Sequence, residues 1–244
     1  MITSLLAPNP GPMTLDGTRT WIIGAGGPAL VVDPGPADQG HLQAILDACP
    51  DGVAEIWLTH HHHDHTELVP DLVAATGAPV RARSADLCQG AEPFVDGETA
   101  EVAGSALQVL TLPGHTADSV GFVYQDQLLS GDTILGRGTT VINDPDGNLG
   151  DYLTSLDRIA ELTADGTVRR ILPAHGPDVD DAAATVQQYR AHREERLDQV
   201  RAALAAGATT AAEVVAKVYT DVPEQVLPAA EASVRAQLVY LNQR

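Results

Sequence analysis

The sequence predicts a layered α/β body followed by a small all-helical domain. Three observations carry that expectation. Strand-like apolar runs alternate with helical ones through the first 180 residues, four of those runs each end in His or Asp, and from about Asp181 the composition shifts to Ala, Glu, Gln and Arg with no strand candidates. In layered α/β structures, residues just beyond the strand ends converge in a crevice, so four such turns can meet at one place.

Taken in order, Asn9-Pro10-Gly11-Pro12 opens a loop. Thr20-Trp21-Ile22-Ile23 and Ala29-Leu30-Val31-Val32 flank Gly24-Ala25-Gly26-Gly27 and read as a hairpin, with Asp33-Pro34-Gly35-Pro36 stopping its second strand. His41, Leu42, Ile45 and Leu46 have helical spacing up to Pro50, with His41 expected on the surface of that helix. The apolar run 53–58 then leads directly into Thr59-His60-His61-His62-His63-Asp64-His65-Thr66. A helix can follow over 67–76, with Pro70 tolerated near its first turn and Gly77 as its stop, so its N-terminus abuts the histidine cluster.

A short strand over 80–83 and a connector containing Cys88 and Pro93 come next. The stretch 101–110 reads as a second hairpin running into Pro113-Gly114-His115-Thr116. The pattern then repeats twice: 121–124 and 127–129 lead to Ser130-Gly131-Asp132-Thr133, and 168–172 leads to Pro173-Ala174-His175-Gly176. Between those two lies a helix over 151–162, with Leu153, Leu156 and Ile159 on one face. Beyond a boundary near 177–181, Val186, Tyr189, Leu197, Val200 and Leu204 mark one long helix stopped at Gly207. Thr210-Ala211-Ala212-Glu213 matches a capping box for a second, and Leu227, Ala230, Val234, Leu238 and Leu241 mark a third. The expected domains are therefore 1–180, carrying the chemistry, and 181–244, helical.

Length and 44% hydrophobic content suit a chain of one or two globular domains. Cys49 and Cys88 give no disulfide framework and fit a reducing cytosol. No apolar stretch approaches the ~18 residues a membrane span needs, and the N-terminus lacks a basic region followed by a long apolar one. A cytoplasmic enzyme with no membrane partner is expected. The formal charge of −19 opposes loose binding to nucleic acid or anionic membranes, because such affinity comes mostly from Lys and Arg displacing counterions.

The dense histidine run is internal and follows a strand, unlike a terminal tag. With His115, Asp132 and His175 it offers seven nitrogen and oxygen donors: His60, His62, Asp64, His65, His115, Asp132 and His175. That is too many for one closed tetrahedral site, and no Cys is among them, as a structural zinc site usually requires. Two metals sharing a carboxylate would use all seven and leave positions open for water and substrate. His61 and His63 alternate with the ligands in an extended segment, so they point away, solvated or supporting the ligands from outside. His192 is expected on the surface. Imidazole and carboxylate suit zinc first, and manganese or iron as well.

His-x-His-x-Asp-His, Gly114-His115-Thr116, Ser130-Gly131-Asp132-Thr133 and Pro173-Ala174-His175-Gly176 together resemble the successive motifs of the metallo-β-lactamase superfamily. The resemblance implies an αβ/βα sandwich of two mixed sheets between helices, with a two-metal site at the sheet edges. Asn9-Pro10-Gly11-Pro12, the stretch 131–140 and the region from Gln188 to Arg196 further resemble the β-lactamase-like protein 2 family, which implies a winged-helix-like C-terminal domain. Two departures stand out: Thr66-Glu67 replaces a small residue followed by Gly-Gly, and the chain stops at Arg244 where a wing hairpin is expected. The resemblance implies that His60, His62 and His115 hold one metal, Asp64, His65 and His175 the other, and that Asp132 bridges them.

The implied chemistry is hydrolysis by a metal-bridging hydroxide, because a metal lowers the pKa of bound water from about 15.7 to roughly 7. Asp64 and Asp132 are the catalytic candidates, Asp64 aiming the hydroxide. A small acyl substrate (thioester, lactone or other ester) is expected from the acidic surface, with a metal-dependent endoribonuclease acting on RNA as the alternative. An antibiotic-inactivating lactamase fits less well because those enzymes generally lack an Asp at the position of Asp132. A non-catalytic scaffold is opposed by the intact donor set. Arg137 and Tyr152 are candidate substrate contacts, although a surface Arg and a core Tyr are the ordinary outcomes. No oligomeric state is implied.

Overall fold

The computed structural model describes residues 1–220 and 226–243. Two five-stranded mixed sheets stack face to face with helices on both outer surfaces. The first sheet takes β1 (Ile2–Leu6), β2 (Arg19–Ile23), β3 (Ala29–Val32), β4 (Val53–Trp57) and β5 (Val80–Arg81) in chain order. The expected hairpin is the antiparallel β2–β3 pair, and β3–β4–β5 continue in parallel. The second sheet has the order β10-β9-β8-β7-β6, built from β6 (Thr99–Val102), β7 (Ser105–Thr111), β8 (Val120–Tyr124), β9 (Gln127–Gly131) and β10 (Arg170–Pro173). Its pairs are antiparallel except β9–β10. The edge strand β1 was not anticipated.

Side-chain alternation explains why these strands read as continuous apolar runs: both faces of each sheet are covered. Trp21, Ile23, Leu30, Val32 and Trp57 of the first sheet meet Leu107, Val109, Phe122, Tyr124, Leu129 and Leu172 of the second. The residues between them turn outward. Ile22, Val31 and Ile56 pack under α1 (Gln39–Ala48) and α3 (Val69–Thr76). Leu110, Val123, Leu128 and Ile171 pack under α4 (Leu149–Ala164) and the first half of α5 (Ala182–Ala205).

Capping fixes where these helices begin. Asp38, Asn148 and Asp181 each accept a backbone N–H three residues on. The sequence suggested one helix over 67–76, but the chain forms a short turn of helix, α2 (His63–Thr66), and then α3. The break has a physical cause: Leu68 N–H turns to Gly35 O at 3.0 Å, and Pro70 has no N–H to offer.

The C-terminal region is helical as expected, with α6 (Ala211–Val218) carrying the Thr210–Glu213 capping box and α7 (Leu227–Asn242) closing the chain. Val200, Val214, Val215 and Val234 form its own core, while Val186, Tyr189 and Leu197 of α5 join the core beneath α4. Among the described residues no strand follows β10, and no helix is long and apolar enough to cross a membrane.

His41 corrects the sequence reading. It is 4% exposed rather than on the surface, and its Nε2–H donates to Thr20 Oγ1 at 2.8 Å, whose own hydroxyl donates to Asp33 O. His192 is half-buried rather than on the surface, with a buried Nδ1.

Candidate metal centre

β7, β9 and β10 run in one direction, so the turns that follow them, carrying His115, Asp132 and His175, open on one edge of the second sheet. The turn after β4 joins them there, because Val120 N–H donates to Thr59 O across the two sheets at 2.8 Å. Two glycines make this convergence possible. A Cβ on Gly114, at φ 137°, would sit 2.3 Å from the Tyr152 backbone, so α4 approaches the His115 turn only over a hydrogen. A Cβ on Gly131, at φ 51°, would sit 2.7 Å from the Thr59 side chain, closing the gap between the two strand ends.

All seven donors named from the sequence come together. His62 Nδ1 lies 3.0 Å from His60 Nε2 and 3.1 Å from His115 Nε2. On the other side, His175 Nε2 lies 3.2 Å from Asp64 Oδ2, and His65 Nε2 lies 3.4 Å from the same oxygen. Asp132 stands between, with Oδ2 3.6 Å from His115 Nε2 and Oδ1 3.2 Å from His175 Nε2. Donors about 2.0–2.1 Å from a tetrahedral ion are separated by roughly 3.3 Å, so these spacings match ligands around shared cations.

The outer partners fix which nitrogens face inward. His65 Nδ1–H donates to Asp33 Oδ2 at 2.9 Å, His115 Nδ1–H to Val141 O at 2.8 Å, and His175 Nδ1–H to Gly17 O at 3.3 Å. His60 Nδ1–H donates to Thr59 Oγ1 at 3.0 Å, and that hydroxyl donates to Asp33 Oδ2 at 2.7 Å. Four rings therefore turn Nε2 to the centre, and His62, whose Nε2 lies 3.5 Å from Asp146 Oδ2, turns Nδ1 there. Close lone pairs repel one another unless a cation lies between them. His65 Nε2 and Asp132 Oδ1 are also buried with no hydrogen-bond partner. Buried orphans of this kind need an explanation, and the donor chemistry supplies one: the set fits a divalent metal.

The electrostatics differ across Asp132. Burial, with His65 and His115 beside it, holds the His60 imidazole well below its ordinary range, and burial with His115 and His61 draws His62 down to about 4. On the other side burial opposes every charge but is outweighed. Asp132 and Asp64 lift His175 to about 10, Asp33 and Asp132 raise His65, and hydrogen bonding from His175 helps hold Asp64 at about 2. In the metal-free protein His60 and His62 thus offer lone pairs, while His65 and His175 hold protons where a cation would go.

Sequence reasoning missed several supporting residues. Asp33 takes Thr59 N–H at 2.8 Å on Oδ1 as well as the two donors on Oδ2. Thr18, fully buried, donates to Asp64 Oδ2 at 3.3 Å and is itself held by both ends of the Asn9 amide, which ties the loop 9–12 to the centre. Asp118 anchors the exposed His61 ring at 2.8 Å, and His63 is exposed. Of the candidate substrate contacts, Tyr152 is fully buried and donates to Thr133 O, whereas Arg137 is exposed and paired with Asp16.

The chain is similar to known proteins along nearly its whole length. Residues 13–175 match the metallo-beta-lactamase superfamily, and residues 210–244 match the beta-lactamase associated winged helix domain. A beta-lactamase-like protein 2 homolog of Caenorhabditis elegans is 34% identical over 98% of this chain and 83% of its own. An atrochrysone carboxyl ACP thioesterase of Aspergillus chevalieri is 32% identical over 92% of this chain and 75% of its own. The crystal structure of a metallo-beta-lactamase family protein from Thermus thermophilus superposes with a TM-score of 0.83 at 25% identity, covering 99% of this chain and 93% of that one. With its two stacked sheets, its donors at their shared edge and a helical region of winged-helix type behind them, the chain belongs to the metallo-beta-lactamase superfamily.

Proposed function

We propose that the protein is a two-metal hydrolase of small acyl substrates, of which thioesters are the leading class and lactones and other esters the rest. One observation carries this reading: two triads of donors face each other across a single carboxylate, Asp132. His60, His62 and His115 would hold one ion, Asp64, His65 and His175 the other, and Asp132 would span both. Such ions, zinc first and manganese or iron as alternatives, supply water acidified to near neutrality and positive charge opposite a developing oxyanion.

The chain's own residues do the rest. Asp64 makes its contacts with Thr18, His65 and His175 through Oδ2, so its Oδ1 would accept a hydrogen bond from the attacking water and aim it. Asp33 and Thr59 hold His65 and His60 in the orientation that points both rings inward. The thioesterase named among the relatives supports an acyl substrate, and the charge of −19 disfavours a polyanion. The free thiols of Cys49 and Cys88 favour the cytoplasm as the place of action.

The test is a panel of thioesters, lactones, simple esters and single-stranded RNA, run on freshly purified protein with and without chelator and alongside His62→Ala. The expected result is chelator-sensitive hydrolysis of an acyl substrate that His62→Ala abolishes. RNA cleavage lost in His62→Ala, with no acyl hydrolysis, would overturn the reading in favour of an endoribonuclease.

A further inference from the structure

Beside the metal centre lies a cavity of about 220 Å³ between the segment 139–141 and helices α5 and α7. We propose that it holds the anionic group, phosphate or carboxylate, of the acyl substrate, an assignment that rests on the hydrolase reading above.

Its lining is the reverse of the protein's overall charge. In a chain of net −19, the cavity presents the guanidinium groups of Arg193 and Arg196 beside His192, whose charge burial and the two arginines disfavour, and no carboxylate lines it among the described residues. Neither guanidinium makes an ion pair with a described acidic group. Arg193 is 4% exposed and donates to Thr140 O, but its Nε is buried with no acceptor, as is His192 Nδ1. Both forks are held in place by aromatic faces, with Arg193 4.9 Å from the Tyr152 ring and Arg196 4.6 Å from Tyr219. A planar fork fixed in this way is suited to phosphate or carboxylate.

The segment 139–141 forms the cavity wall and also backs the metal centre, so a ligand held in the cavity lies one residue layer from the metal ligands. Val141, in the cavity wall, accepts the His115 Nδ1–H, and Thr140, beside it, donates to Asp132 O. The volume lies below the roughly 300–1,000 Å³ of sites that enclose a whole drug-sized ligand, so the cavity takes one end of the substrate rather than all of it. The competing role for these arginines is bracing: Arg193 donates to Thr140 O, and Arg196 donates to Gln199 Oε1 at 2.8 Å and Val218 O at 3.4 Å. Bracing predicts no preference for charged substrates.

The experiment compares the metal-loaded full chain on three acetyl thioesters: one of phosphopantetheine, one of 3-mercaptopropionate and a neutral one of N-acetylcysteamine. The variants are Arg196→Gln, Arg196→Lys and Ala229→Glu. The last places a competing carboxylate in the cavity wall at the first turn of α7, where an acidic side chain suits the helix, so it tests the site even if Arg196→Gln does not fold. Wild type should prefer one of the anionic thioesters over the neutral one by about tenfold or more in kcat/KM, the scale of a charge-assisted hydrogen bond. Which of the two it prefers tells phosphate from carboxylate. That preference should collapse through KM in Arg196→Gln and Ala229→Glu and return in part in Arg196→Lys.

Equal handling of charged and neutral thioesters by wild type, or a parallel loss of both in the variants, overturns the proposal. If no thioester is hydrolysed, the hydrolase reading fails, and calorimetric titration with the uncleavable S-methyl phosphopantetheine and 3-(methylthio)propionate decides the cavity by itself. Binding of either that Ala229→Glu weakens about tenfold supports an anion site, and equal or absent binding excludes it.

Discussion

Asp33 shows how much of the centre depends on residues that never face it. Its Oδ2 accepts from both His65 and Thr59, and it is 1% exposed. Asp33→Asn would turn one acceptor into a donor aimed at donors. We expect metal affinity to fall by about 10–100-fold, the usual cost of removing an outer partner of a ligating histidine, as read by competition with a chromophoric chelator. The sequence held a signal for Asp33, since it follows the run 29–32 just as Asp132 follows 127–129, but the adjoining Pro34-Gly35-Pro36 read as a simple stop. His41 was misread although it sits four residues before the buried Ile45 on the same face of α1. Burial lowers its pKa below the unfolded value near 6.5, so the unfolded chain binds the extra proton first as pH falls. The stability it contributes is therefore present above about pH 6.5 and lost as pH drops toward the folded pKa. Urea midpoints of the metal-loaded protein should decline between pH 7.5 and 5.5 more steeply in wild type than in His41→Gln.

Elements were legible where periodicity carried burial on both faces, and less so elsewhere. The strand pairs β2–β3 and β6–β7, the capping box of α6 and the long α5 all follow local patterns. The strand β1 did not, because its Thr3 and Ser4 are exposed and it borders only β2, leaving no apolar alternation to read. The break between α2 and α3 depends on Gly35 O, a partner more than thirty residues away that no window of sequence contains. The packing of α4 on the His115 turn is equally non-local and rests on one missing Cβ. Gly114→Ala meets the Tyr152 backbone at 2.3 Å and an unfavourable φ, so it should cost about 3 kcal/mol or more in chemical denaturation. Because α4 must shift away from the His115 turn, the surviving folded protein should also bind less metal by elemental analysis.

Across the whole molecule, each donor triad draws on both sheets. His60 and His62 follow β4 of the first sheet, while His115 follows β7 of the second; Asp64 and His65 likewise belong to the first, and His175 and Asp132 to the second. Bound ions would therefore act as staples across the shared edge, and would offset about +4 of a net charge of −19 that otherwise resists compaction. A ligand that binds only the folded state stabilises it by RT ln(1 + [L]/Kd), about 2.7 kcal/mol at a hundredfold excess over Kd. For a chain of this length that corresponds to a rise in Tm of roughly 5–10 °C. Differential scanning calorimetry should show that rise when metal is returned to chelated protein, and slowed amide exchange in β8 and the segment 58–62, where Val120 and Thr59 join the sheets. The two sides of Asp132 should also load differently: burial and neighbouring imidazoles keep His60 and His62 from holding a proton at neutral pH, whereas the other side must expel the proton of His175, whose pKa is about 10. Raising the pH from 6.5 to 8.5 should then tighten the second equivalent of metal far more than the first, with proton release in unbuffered titrations confined to that second step. Equal pH dependence for both equivalents would show that the triads do not load as separate sites.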